Sequence, residues 1–150
     1  MTTEITFLDA NVFMYAAGAP HPYKSPCVRI LSDVEMGTLV AAINTEVLQE
    51  LLYRYSHIQM AGKGVKLCRD ILKYPLTVLP ITEADIRLDV DLYDTYRVTG
   101  LGPRDSIHVA VMQNNNITRL FSADKDFDHL GFVNRLDPLA YPYLMSDKGT

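Results

Sequence analysis

Carboxylates at four well-separated places carry the chain's strongest chemical signal: Asp9, then Glu46 and Glu50, then Asp105, then Asp124, Asp126 and Asp128. Glu46 and Glu50 stand four residues apart, which puts both on one face of a helix, and Asp105 and His108, three apart, share a face in the same way. Acids gathered in one partly desolvated cleft repel one another strongly, so such a cluster requires a positive charge. Hard divalent cations take oxygen ligands; Mg²⁺ or Mn²⁺ with retained waters suits an acid-only set better than Zn²⁺, which takes His or Cys. The chain has no Gly-rich phosphate loop and no convincing Ser-His or Cys-His pair. What remains is a metal-activated water attacking phosphorus, the pentacovalent charge being stabilised by the ion and not by a general-base side chain.

That chemistry requires elements able to deliver the acids to one place. Ile5-Thr6-Phe7-Leu8 is short, apolar and unalternating, the pattern of a strand buried on both faces of a parallel sheet, and it runs straight into Asp9-Ala10-Asn11 and an apolar helical segment over 12–16. Alone, Asp9 reads as a helix N-cap. Residues 39–43 form a second such run, with Asn44 and Thr45 as caps for a helix over 46–54. Residues 76–81 are a third strand, and Thr82-Glu83-Ala84-Asp85 opens a long helix to about Val98 in a capping-box pattern. Gly100 to Pro103 breaks the chain before a helix over 104–112. Residues 119–122 are a fourth strand that delivers the acids at 124–128, and 132–136 are a fifth.

Between these runs, Ser25-Pro26 supplies a cap and a first-turn proline for a helix reaching Gly37, and a helix over 65–72 carries the densest basic set, Lys63, Lys66, Arg69 and Lys73. Strands alternating with helical patterns mean βαβ units, so the expected fold is a single-domain α/β/α sandwich with a central parallel sheet over residues 1–136. A tail follows over 137–150, its last residues expected to be disordered. In such a sheet the positions after strands one, two and four lie on one edge, where open α/β sheets bind ligands. Asp9, Glu46 or Glu50, and Asp124 or Asp126 meet there, and Asp105 opens a helix that can begin near it.

A length of 150 residues, 48% of them apolar and 21% charged, suits one soluble domain. The net charge of -4 does not advertise a nucleic-acid binder, yet an acid metal site accounts for most of the deficit while basic residues line a separate groove. Cys27 and Cys68 lack metal-ligand spacing and read as free thiols. The N-terminus has no signal-peptide layout and no apolar run approaches the ~20 residues of a membrane span, so a cytoplasmic protein is expected, with no membrane contact.

At these same residues the chain resembles a known family. Leu8-Asp9-Ala10-Asn11, Thr45-Glu46-Val47-Leu48-Gln49-Glu50-Leu51-Leu52-Tyr53, Pro103-Arg104-Asp105-Ser106-Ile107-His108-Val109-Ala110 and Ser122-Ala123-Asp124-Lys125-Asp126-Phe127 look like the four acidic motifs of the PIN domain, closest to the VapC-like ribonucleases of toxin-antitoxin systems. The resemblance covers residue 5 to about 136. It implies a Mg²⁺- or Mn²⁺-dependent endoribonuclease, often a homodimer, inhibited by a cognate antitoxin. Carried over, Asp9, Asp105 and Asp124 are metal ligands, Glu50 fits the second motif better than Glu46, and Asn11 orients Asp9 or polarises a water. Asp126 is a fourth ligand or an outer acid. The loop over 18–26 and the tail after Leu136 depart from the pattern.

Some residues have plainer readings. His108, among Ile107, Val109 and Val111, is better taken as a hydrogen-bonded structural histidine than as a ligand or proton donor. Arg104 can touch a phosphate or pair with an acid across the site. With Arg54 it is the basic residue nearest the acid motifs, and both are expected on the RNA path. The nine tyrosines read as core and dimer packing more readily than as base-stacking platforms. Two further readings are a PIN-like nuclease of RNA maturation or of DNA acting without an antitoxin, and an idle PIN-like binding module. The intact set Asp9, Glu50, Asp105 and Asp124 argues against the idle module, because unused buried acids only destabilise.

Overall fold

Five short strands pair in parallel in the order β3-β2-β1-β4-β5: β1 Thr6–Leu8, β2 Ala41–Asn44, β3 Thr77–Leu79, β4 Arg119–Phe121 and β5 Asn134–Leu136. The computed structural model describes residues 4–141. Six helices intervene: α1 Ala10–Ala17, α2 Lys24–Glu35, α3 Thr45–His57, α4 Ala61–Ile71, α5 Glu83–Tyr96 and α6 Pro103–Asn114. They pack in sequential pairs, α1 on α2, α3 on α4 and α5 on α6. From β1 the chain steps outward through β2 to β3, then returns to the other side of β1 as β4. Right-handed crossovers put helices that connect strands in opposite directions on opposite faces, so α1 to α4 lie on one face and α5 with α6 on the other. This is the expected α/β/α sandwich.

The reversal of strand order falls between β1 and β4, where Thr6, Phe7 and Leu8 pair with Arg119, Leu120 and Phe121. A crevice opens outside the strand ends at such a point. β1, β2 and β4 are buried throughout because helices cover both faces, whereas edge strands β3 and β5 are partly exposed. α6 is the innermost helix, buried continuously from Ser106 to Met112, while α5 buries only Asp85.

Several boundaries differ from the sequence reading. The first and third strands are shorter than expected, and α4 begins at Ala61. α2 begins at Lys24, with Tyr23 at its cap position and no side-chain cap, so Ser25 and Pro26 lie inside the first turn. The reason is tertiary: Lys24 Nζ reaches back to the carbonyls of Ala16 and Gly18, tying the start of α2 to the end of α1. Thr82 and Asp85 form the expected capping box on α5.

The loop over 18–26 and the segment after β5 pack on the same side. Tyr15 stacks on Tyr23 with ring centroids 4.9 Å apart, and the Tyr23 hydroxyl donates to Asp137 at 3.4 Å. Past a 3₁₀ turn at Pro138–Ala140, Tyr141 is buried, edge-on to Phe121, and its hydroxyl donates to Asp33 of α2. The final tail residues, expected to be disordered, lie outside the described residues.

Candidate metal centre

Asp9 follows β1 and caps α1, so the plain reading and the chemical one hold together. Its Oδ1 accepts from the Ala10 N–H at 2.7 Å, and its own N–H donates to Phe121 of β4 at 3.0 Å. Oδ2 accepts from the Ser122 hydroxyl at 2.7 Å and from Asn11 Nδ2 at 3.2 Å. Ser122 Oγ also accepts the Asp124 N–H at 3.0 Å, and Asn11 Oδ1 accepts the Ala123 N–H at 3.3 Å. The ends of β1 and β4 are thus laced together around one carboxylate that is only 4% exposed. Burial pushes the Asp9 pKa up, a shift that His108 and the Ser122 hydrogen bond resist.

α3 separates its two glutamates. Glu50 is buried, with Oε2 accepting from Arg54 Nε at 3.1 Å and Oε1 left without a hydrogen-bond partner. Glu46 sits further out, 3.5 Å from Arg104 Nε. Burial alone would raise the Glu50 pKa, but His108, Arg54 and Arg104 outweigh it and hold the carboxyl below its usual range.

Asp105 stands in the first turn of α6, half-buried. Burial first, then the Asp9 and Asp124 carboxylates crowding it, drive its pKa up to about 8. Asp124 caps the 3₁₀ turn Lys125–His129, its Oδ1 accepting the Asp126 N–H at 2.9 Å. The Asp126 carboxylate lies beside Gly100, which takes φ 101°; a side chain built there would meet it at 3.4 Å. Asp128 pairs with Arg135 at 2.8 Å.

His108 is fully buried between these elements. Its Nδ1 lies 2.9 Å from Asn44 Nδ2, which accords with the structural reading, but its Nε2 faces the acids, 3.8 Å from Asp9 Oδ1 and 3.7 Å from Glu50 Oε1. Both distances exceed an ordinary hydrogen bond. Burial works against charge on the ring, while the carboxylates of Glu50 and Asp9 outweigh it and raise the pKa. Asn44, Ser122 and the inward nitrogen of His108 are the site residues that sequence reasoning missed. Asn44 read as a cap and Ser122 as a strand end, and both are those things as well.

The cluster could hold a divalent cation: Asp9 and Glu50 bring a carboxylate oxygen each within 4.8 Å of the other beside the His108 ring, and burial, with the Asp9 and Asp124 carboxylates, pushes the Asp105 pKa up. The predicted basic residues stand at the rim. Arg54 and Arg104 are partnered by Glu50 and Glu46, and the Arg104 guanidinium lies 4.5 Å from the Tyr53 ring centroid. They border a groove of about 620 Å³ with Met14, Tyr53, Met60 and Lys63. On the basic helix Lys66 pairs with Asp70 at 2.7 Å. Both cysteines are free and buried, and among the described residues no helix is long and apolar enough to cross a membrane.

Fold and site define an α/β domain with a carboxylate cluster at the reversal point of a parallel sheet. The PIN domain profile matches residues 6–133, and the chain belongs to that family. It is 35% identical over 129 residues to ribonuclease VapC13 of Mycobacterium tuberculosis, covering 86% of this chain and 97% of that one. Ribonuclease VapC23 of the same organism is 32% identical over 125 residues, covering 82% and 92%. Among solved structures, M. tuberculosis VapC20, described as a sarcin-ricin loop cleaving toxin, superposes with a TM-score of 0.72 at 17% identity over 85% of this chain and 96% of that one. VapBC2 from Rickettsia felis, bound to a promoter DNA fragment, gives 0.68 at 19% identity over 88% and 97%.

Proposed function

We propose that this protein is a divalent-metal-dependent endoribonuclease, the toxin of a toxin-antitoxin pair. The observation that carries the reading is the grouping of buried acids, Glu50 beside Asp9, and Asp105 close enough to Asp9 and Asp124 that burial and those two carboxylates lift its pKa to about 8. Relatives named VapC ribonucleases support RNA as the substrate, and structures titled as toxin-antitoxin complexes support a protein inhibitor.

Asp9, Asp105 and Asp124 are the residues that would hold Mg²⁺ or Mn²⁺, whose oxygen preference matches theirs. Such an ion supplies a water of lowered pKa and charge to offset the pentacovalent phosphorus. Asn11 and Ser122 fix Asp9 by hydrogen bonds, Glu50 completes the catalytic set as an ionised carboxylate that accepts a water hydrogen bond, and Glu46 and Asp126 act from outside it. Arg54 and Arg104 meet the RNA backbone at the rim by exchanging their glutamate partners for phosphates. The antitoxin covers the same groove. A second copy is accommodated on α5, where Ile86, Val90 and Tyr93 are spaced one and two turns apart and exposed.

The test is cleavage of single-stranded RNA by purified protein. Activity is expected to vanish in EDTA and return with Mg²⁺ or Mn²⁺. Undiminished cleavage in chelator would contradict the mechanism.

A further inference from the structure

The Asn44 amide, at the junction of β2 and α3, has one workable orientation. Its Oδ1 accepts the Val47 backbone N–H at 3.1 Å, and a flipped amide would set an NH₂ against that N–H. The NH₂ therefore faces His108 Nδ1 at 2.9 Å, and it can only donate. Nδ1 must offer its lone pair, which leaves the ring proton on Nε2. The Glu50 and Asp9 carboxylates favour a second proton on the ring, but that proton would sit on Nδ1, donor against donor with Asn44.

We infer that His108 is a positioning residue: Asn44 holds it as the Nε2–H tautomer, and that N–H holds the Glu50 and Asp9 carboxylates in place for the divalent ion. Nε2 and Glu50 Oε1 are both buried without a hydrogen-bond partner and lie 3.7 Å apart, with Asp9 Oδ1 at 3.8 Å from the same nitrogen. Catalytic hydrogen bonds are commonly long before the site is loaded. A neutral donor orients two acids without placing a cation where the metal's charge belongs. The relay runs from the Val47 N–H through Asn44 and His108 to Glu50, so α3 steers its own acid by way of α6. With its proton on Nε2, His108 is not a ligand through that atom. The positioning role rests on the metal reading of the acid cluster; the tautomer does not.

Long-range ¹H–¹⁵N NMR on metal-free wild type labelled at histidine, with His108 assigned by loss of its signals in His108→Gln, reads the tautomer directly. A bare Nδ1 beside a protonated Nε2 is expected; a bare Nε2, or protons on both nitrogens, overturns the inference. Calorimetric Mn²⁺ titration reads the positioning. His108→Leu is expected to bind Mn²⁺ about tenfold more weakly or worse, whereas His108→Gln, whose amide can donate from near the Nε2 position, stays within about threefold of wild type. Wild-type affinity in His108→Leu overturns the positioning role. Wild type that binds no Mn²⁺ overturns the metal reading and the positioning role with it, and the NMR assignment tells that failure apart from a failure of the relay.

Discussion

The floor of the cleft and its rim hold the same kinds of side chain under opposite conditions. On the floor, Asp9 and Glu50 are 4% and 6% exposed, and His108 is sealed between them. At the rim, Arg104 has a side chain 39% exposed and pairs with the partly exposed Glu46, while Arg54, 54% exposed, reaches down to the floor's own Glu50. Charge on the floor is only partly balanced, by Arg54 on Glu50, and shifts the pKa of Asp105; the Arg104–Glu46 charge at the rim is locally balanced. Exposed ion pairs contribute about 0–1 kcal/mol, so the Arg104–Glu46 pair adds little to stability and is free to trade partners with a substrate.

Substitutions separate the two regions most sharply in catalysis. Asp9→Asn or Asp105→Asn is expected to lower RNA cleavage by about 10³-fold or more, the equivalent of several kcal/mol of lost transition-state charge stabilisation. Arg104→Ala should cost far less and act through RNA affinity. Equal losses in a cleavage assay would erase the distinction.

A second difference is pH dependence without metal. Asp105 is raised to about 8 in the folded protein and is near its ordinary value when unfolded. Between those values the folded state keeps a proton the unfolded state has released, so stability is full below pH 4 on this account and declines as pH rises through about 8. Burial of Asp9 acts in the same direction. The metal-free melting temperature should fall by roughly 5 °C or more between pH 5 and pH 9, a fall that Asp105→Asn reduces. Rim variants should follow the wild-type profile.

The smallest expected effect belongs to the rim itself. In an Asp9→Asn background, replacing Arg54 and Arg104 by Ala should flatten the salt dependence of RNA affinity by about one unit or slightly more, at ~0.7 per phosphate neutralised. Identical slopes would take both residues off the RNA path and turn attention to Lys63 and the basic helix.

Legibility in the sequence follows the same division. Asp9 and the acids at 124 and 126 can be placed at one sheet edge because short buried strands announce their own ends and parallel connections fix which ends share an edge, though the strand end alone leaves Asp124 and Asp126 open. Glu46 and Glu50 share a helical face in the sequence, where only the resemblance favours Glu50, and the fold sets them one turn apart, one buried and one further out. Asn44, Ser122 and His108 were opaque because their site roles come from partners 64 to 113 residues away. The start of α2 was misplaced for a related reason: Lys24 finds its acceptors on α1, and a local cap signal at Ser25 loses to that contact.

If one ion binds among Asp9, Asp105 and Asp124, thermal unfolding with and without Mn²⁺ will register it. Ligand at about 100 times its dissociation constant adds ~2.7 kcal/mol, so wild type should gain roughly 5–10 °C. Asp9→Asn and Asp105→Asn should gain almost nothing and, without metal, melt as high as wild type or higher, since each removes a repelling charge. Equal Mn²⁺-induced shifts in all three proteins would place the ion elsewhere and contradict the account.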